Sequence, residues 1–320
     1  MDGMDKGRKL KIGTRGSPLA LAQAELTRQA LADARPAALA VPLEATEIRV
    51  IRTTGDHILD RPLAEVGGKG LFTKEIEEAL LAGEIDLAVH SMKDMPTRLP
   101  EGLVIGAMLP REDPRDALIL GPELAGRCHG IAGLPQGARI GTASLRRMAQ
   151  LKAARPDLVV ETLRGSVGTR LGRIAEGRFA GTLLALAGLQ RLGMADRAST
   201  VLGIREMLPA VAQGAIGIEC RADDAWLVER LAAIGCRATA ACVDAERAAL
   251  AALDGSCRTP IAGLAGIDGT ELLLQVLIAR PDGSTVHRET GKAHVMDGVA
   301  LGEALGRKLR ERGGPDFFRD

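Results

Sequence analysis

Tyrosine is missing from this sequence of 320 residues, and aromatic side chains make up only 2% of it. A surface that binds nucleic acid by stacking bases needs more rings than that. Net charge is +1, so no global field draws the chain to polyanions or to membranes. No apolar run approaches the ~18 residues needed to span a bilayer. The first stretch, MDGMDKGRKLKIG, lacks the apolar core of a secretory signal, which predicts a cytosolic protein. Cysteine is scarce: Cys128, Cys220, Cys236, Cys242 and Cys257. Their number is odd and no two form a C-x-x-C pair, so neither a zinc site nor a disulfide framework is expected.

What is present is ordinary for a globular protein, with 46% apolar and 26% charged residues. The length suits two or three domains. Arginine supplies 33 of the 42 basic residues. Genomic base composition accounts for that total, so position must carry any claim about anion binding.

Strand-like and helix-like segments alternate, which predicts an α/β fold. LKIGTR (10–15) reads as a strand, and Ser17 as the cap of a helix starting at Pro18. TEIRVIRT (46–53) alternates as a strand. Residues 54–70 have four glycines and no periodicity, the mark of a functional or mobile loop. A helix over 71–82 and a strand over 84–90 follow. Proline and glycine cluster at LPREDPR (109–115) and LPAVAQG (208–214), read here as paired crossovers between two α/β domains. The strand AIGIEC (215–220) comes after the second. An Ala-rich helix from about 237, the strand LLLQVLIA and a helix near 298–312 make a smaller α+β domain. The expected domains are 1–111 with 214–234, then 112–213, then 235–320.

Three strand-to-helix junctions share one design: TRGSP (14–18), GTASLRR (141–147) and LRGSVGTR (163–170). Each sets Gly, a hydroxyl residue and Arg where a helix begins, where free N–H groups and the dipole favour an anion. Capping by Ser17, Ser144 and Ser166 with solvated arginines also accounts for any one of them. Three together point to a ligand with several negative charges. VHSMKDMP (89–96) ends a strand with His90, Lys93 and Asp94 close together. That is either a surface Lys–Asp pair or a carboxylate at the mouth of a cleft, since open α/β sheets bind ligands beyond strand ends. DGSCRTP (254–260) places Cys257 in a turn beside Arg258, a setting that lowers a thiol pKa. GGKG (67–70) lacks the spacing of a phosphate loop, so no nucleotide is expected.

At these segments the chain resembles the hydroxymethylbilane synthase (porphobilinogen deaminase) family. The matching stretches are TRGSPLALAQ, TTGDHILDRPLAEVGGKGLFTKEIE, DLAVHSMKDMP, REDPRDALI, GTASLRR, LRGSVGTRL, LALAGLQRLG, QGAIGIECR and DGSCRTPIAG. The resemblance implies two type II periplasmic-binding-protein-like domains plus a C-terminal domain. It implies an enzyme that condenses four porphobilinogen units, with release of ammonia, on a dipyrromethane cofactor. Cys257 falls at the position of the cofactor thioether and Asp94 at that of the catalytic aspartate. Ser144, Arg146, Arg147, Lys93 and Asp94 fall at cofactor contacts. Arg15, Ser17, Arg164, Arg170, Lys69 and Phe72 fall at substrate contacts. No metal is implied, and a monomer is expected. Glu65, Ala143, Ser166, Ala212 and Ser256 depart from the family pattern; Ala212, where Gly is expected, would stiffen the second crossover.

Two other classes remain open on the residues alone. A two-domain anion-binding protein without catalysis would carry the same junctions, although Cys257 in its turn speaks against it. A nucleic-acid-binding protein is disfavoured by charge and by scarce aromatics.

Overall fold

The computed structural model describes residues 9–57, 72–255 and 259–318. They form two compact units. The first comprises 9–57, 72–111 and 215–240, the second 112–214, 241–255 and 259–318.

The chain opens with β1 (Leu10–Thr14), α1 (Pro18–Ala32), β2 (Thr46–Val50), the single turn α2 (Thr54–His57), α3 (Lys74–Leu81), β3 (Leu87–Ser91) and β4 (Leu103–Met108). It continues in the second unit with β5 (Asp116–Leu120), β6 (Arg139–Gly141), α4 (Leu145–Ala154), β7 (Val159–Glu161), α5 (Val167–Ala175), β8 (Gly181–Ala185), α6 (Leu186–Arg191) and β9 (Thr200–Val201). β10 (Ile216–Arg221) and α7 (Ala225–Ile234) return to the first unit. α8 (Arg237–Ala252), β11 (Ile261–Asp268), β12 (Glu271–Ala279), β13 (Val286–His294) and α9 (Gly298–Gly313) complete the chain. None of these helices is long and apolar enough to cross a membrane.

The two large sheets share one design. The first has order β2-β1-β3-β10-β4, with β10 antiparallel to β3 and β4. The second has order β7-β6-β8-β5-β9, with β5 antiparallel to β8 and β9. β1, β2 and β3 run parallel, as do β6, β7 and β8. Each crossover therefore delivers the antiparallel strand of the unit it enters. Both sheets are covered on both faces, which is why strands such as DALIL are buried along their whole length. In the first unit Ile12, Leu87 and Ile218 pack under α1 and α7, while Ala88 and Leu103 pack under α3. The architecture is the α/β one expected, with two sheets of one design joined through two crossovers.

The C-terminal segment differs from its reading as a single strand. Three antiparallel strands are present, in order β11-β12-β13. β12 alternates: Leu272, Leu274, Val276 and Ile278 face α8 and α9, while Leu277 and Ala279 pack on Ala149 and Leu208. Its neighbours escape a reading by pattern for physical reasons. β11 is rich in Gly and Ala, which carry little strand preference. β13 is largely polar and exposed at alternate positions. The turn after β12 needs glycine: a Cβ on Gly283, at φ +77°, would lie 2.5 Å from Ala153 N on α4. Of the stretch 54–70, read as a functional or mobile loop, Thr54–His57 form a single helical turn and 58–70 lie outside the described residues.

Candidate active site

The Asp94 carboxylate is placed by two buried methionines. β3 ends at Ser91, and Met92–Asp94 form a short 3₁₀ turn. Met95 N donates to Met92 O at 3.2 Å, closing the turn, and Met92 N donates to Ala215 O at 3.0 Å, fixing it to the unit. Met92 and Met95 are buried on either side of half-buried Asp94. A Cβ on Gly217 of β10 would overlap the Met92 thioether, so the absence of a side chain there admits the anchor. Apolar burial thus holds a charged group at the C-terminal end of a central strand.

β1 is the parallel neighbour of β3, and its C-terminal end brings Arg15 and Ser17 to the same place. Arg15, Ser17, Gln23, Phe72, His90 and Asp94 line one pocket. The Arg15 guanidinium carbon lies 4.2 Å from the Phe72 ring centroid, a cation–π contact. Ser17 Oγ accepts from Ala20 N at 3.2 Å, so it caps α1 as well as facing the pocket. Gln23 Nε2 donates to Ser91 Oγ at 2.9 Å. Gln23 was not singled out in the sequence, yet it is a polar residue on the buried stripe of α1, beside Ala20, Ala24, Thr27 and Leu31. Lys93 is half-buried on the Asp94 turn and is not among the residues lining this pocket. The pocket offers a cation for an anionic substituent and a carboxylate for an N–H donor or a cation.

The second unit carries the other two junctions. β6 and β7 are adjacent and parallel, so the turns after them lie side by side at one end of the sheet. Ser144 Oγ accepts from Arg147 N at 3.5 Å and Ser166 Oγ from Thr169 N at 3.2 Å, so both hydroxyls cap helices. Arg164 and Arg170 are half-buried there. Arg170 Nε donates to Gly165 O at 2.9 Å, across a turn whose φ of +114° requires glycine.

Arg146 and Arg147 are differently placed. Each is 5% exposed, and both bind Asp116, which is fully buried. Arg146 Nη1 donates to Asp116 Oδ2 at 2.6 Å and to Leu208 O at 2.8 Å. Arg147 Nη2 donates to Asp116 Oδ1 at 2.7 Å, and its Nη1 to Leu183 O at 2.8 Å. Gln213 Nε2 adds a hydrogen bond to Asp116 Oδ1 at 3.0 Å. Burial opposes the charge on Asp116, but the two guanidiniums outweigh it and hold the carboxyl well below the usual range. Burial pulls Arg146 down from its ordinary value. Arg146 Nε has no hydrogen-bond partner. Asp116 stands in REDPRDALI, and no pattern in the sequence pairs it with arginines 30 residues on.

Lys69 and Cys257 lie outside the described residues. Cys128, Cys220 and Cys242 are buried thiols and Cys236 is half-buried. Among the described residues no group of three or more His, Cys, Asp or Glu is arranged to hold a metal.

Residues 10–229 match the family model described as "Porphobilinogen deaminase, dipyromethane cofactor binding domain". The chain belongs to the porphobilinogen deaminase family. Residues 240–311 match that family's C-terminal domain. Similar proteins include the porphobilinogen deaminase of Paracoccus denitrificans, 55% identical over 98% of this chain and 97% of that one. The enzyme of the same name from Nitrobacter hamburgensis is 52% identical over 96% of this chain and 94% of its own. A solved periplasmic binding protein of Salmonella typhimurium is similar at 14% identity and a TM-score of 0.40, over 71% of this chain and 92% of that one.

Proposed function

We propose that this chain is a transferase of tetrapyrrole biosynthesis, joining four porphobilinogen units head to tail into hydroxymethylbilane and releasing ammonia at each step. The observation that carries the reading is the meeting of Asp94 with Arg15, Ser17 and Phe72 in one pocket, in a chain of the porphobilinogen deaminase family. Each porphobilinogen bears two carboxylates and an aminomethyl group, so the substrate needs both a cation and an anion from the protein. Arg15 binds a carboxylate. Asp94 accepts hydrogen bonds from pyrrole N–H groups and stabilises the positive charge left when ammonia departs with its bonding electrons. General acid–base help is typically worth about 10²–10⁴-fold, or roughly 3–5 kcal/mol.

The family implies a dipyrromethane cofactor, and the second unit fits a polycarboxylate. Two buried guanidiniums share the single charge of Asp116, which leaves a surplus positive charge, and Arg146 Nε has no hydrogen-bond partner. Arg146, Arg147 and Ser144 would hold its acetate and propionate groups, with Lys93 and Asp94 as further contacts and Cys257 as the thioether. When bound, the group supplies the nucleophilic pyrrole end on which product grows. Arg164, Arg170 and Lys69 serve the carboxylates of added units. Residues 235–320 act as the module that carries the cofactor cysteine, and the enzyme works as a cytosolic monomer.

The experiment is intact-mass analysis with a product assay. The purified protein should exceed its sequence mass by one dipyrromethane, lose that mass on Cys257→Ser, and convert porphobilinogen to hydroxymethylbilane with one ammonia per unit. An unmodified chain that is fully active would contradict the cofactor assignment; no conversion by the mass-shifted protein would contradict the activity.

A further inference from the structure

A buried cluster of one histidine and two carboxylates borders the pocket. His90 on β3 and Glu219 on β10 point to the same sheet face, because Ala88 pairs with Glu219 and His90 with Gly217 in the antiparallel register. Gly217, opposite His90, carries no side chain, and the space a Cβ would take there holds the Met92 thioether. His90 Nε2 lies 3.1 Å from Glu219 Oε2, with side chains 4% and 0% exposed. The helix that covers this face is α3, and it contributes Glu77, also buried. Glu219 Oε1 and Glu77 Oε1 have no hydrogen-bond partner. Burial pushes the Glu77 carboxyl up from its ordinary value, and the charge of Glu219 adds to this.

A buried imidazole hydrogen-bonded to one carboxylate and backed by a second is placed to take up a positive charge, because both acids lie out of water beside it. It also has an outlet, because His90 lines the same pocket as Asp94. Of the titratable side chains lining that pocket, Arg15 is a cation stacked on Phe72, and Asp94 is needed as an anion.

We propose that His90, positioned by Glu219 and backed by Glu77, accepts the proton that a pyrrole α-carbon loses in each condensation. The proposal rests on the reading of the Asp94 pocket as the condensation site. In the step, the substrate C–N bond breaks and ammonia leaves with its electron pair from the aminomethyl ammonium. The α-carbon of the attacking ring then forms the new C–C bond. Its C–H bond breaks, the bonding pair returns to the ring and the proton passes to the His90 imidazole. The sum is one C–C bond, one ammonia and one proton per unit, and no oxidant or reductant enters. Asp94 stays ionised throughout, ready for the next cation. The charged groups around His90 are Glu219 from β10, Glu77 from α3, and Arg15 and Asp94 in the pocket. Arg221, further along β10, is turned to the Leu80 and Ile85 carbonyls and to Asp86.

The test compares the parent, His90→Gln, Glu219→Gln and Asp94→Asn, each with cofactor confirmed by mass and with its melting temperature recorded. Two quantities are measured: the titration of the His90 ring by NMR, and the pH profile of single-turnover condensation by enzyme whose bound dipyrromethane was assembled from porphobilinogen carrying hydrogen or deuterium at its free α-carbon, so that the label sits on the C–H bond that breaks. Glu219→Gln removes the counter-charge of an imidazolium, so the ring titration should move to lower pH and a limb of the rate profile should move with it. His90→Gln should lose that limb, slow condensation by about a hundredfold and show a larger α-deuterium isotope effect than the parent. If His90→Gln does not fold, the matched shifts in Glu219→Gln carry the test. A rate limb that stays put in Glu219→Gln while the ring titration moves overturns the proposal, as does a folded His90→Gln with parental rate and isotope effect. Either result alongside an inactive Asp94→Asn leaves the pocket reading intact. Near-parental condensation by Asp94→Asn overturns that reading instead.

Discussion

Arg146 Nη1 lies 2.6 Å from Asp116 Oδ2, and both side chains are buried. Removing one partner of a buried ion pair costs about 3–5 kcal/mol, because a charge is left without compensation. Asp116→Ala leaves two such cations, Arg146 and Arg147. Denaturant unfolding of that variant should show a loss at least of that size in the second unit; a loss under about 1 kcal/mol would mean the arginines find other anions. The pH dependence has a definite sign. The folded-state pKa of Asp116 is depressed, so its stabilisation is complete above the ordinary value of 3.8 and drains away as pH falls below it toward the folded value. Parent and Asp116→Asn should therefore converge in stability as the medium is acidified below that point.

Ala212 adopts φ +61° and is fully buried, and its N–H donates to Glu246 Oε2 at 2.6 Å. The left-handed conformation costs a non-glycine residue roughly 1–2 kcal/mol. A buried methyl returns about 0.8 kcal/mol. Ala212→Gly should thus be neutral to stabilising by up to about 1 kcal/mol on those magnitudes. Thermal melting of the variant checks this, and a drop of several degrees would show that the methyl contact outweighs the backbone strain.

The described thiols differ in reactivity. Burial in β10 pushes Cys220 up to about 11. The Thr239 hydroxyl holds half-buried Cys236 below its ordinary value. Brief alkylation of native protein near neutral pH, read by peptide mass mapping, should label Cys236 well before Cys128, Cys220 or Cys242. Labelling of Cys220 at a similar rate would mean that β10 opens readily.

What could be read from the sequence follows from what is local. Ser17, Ser144 and Ser166 announce helix starts because a cap is a contact over three residues, and all three form it. The crossovers at 109–115 and 208–214 stand out through Pro and Gly, and each feeds an antiparallel strand. The pocket residues Arg15, Ser17, Phe72 and Asp94 were named through their motifs. The buried carboxylates that bind distant groups carry no such signal. Asp116, Glu219 and Glu246 each sit in or beside apolar stretches, and their partners, a guanidinium, an imidazole and a backbone N–H, lie 30, 129 and 34 residues away. A lone carboxylate in a strand such as AIGIEC signals a buried partner without saying which. β13 was missed because half of it faces water.

We propose that Asp94 drives the condensation. Asn keeps the shape and part of the hydrogen bonding but removes the charge, and a half-buried carboxylate on a turn anchored by Met92 and Met95 contributes little to packing. The fold and the cofactor mass should survive the change, and Asp94→Glu should retain more activity than Asp94→Asn. The decisive measurement is single-turnover condensation of porphobilinogen by Asp94→Asn whose intact mass shows the cofactor in place. The rate should fall by at least about a hundredfold; condensation at close to the parental rate would contradict the assignment.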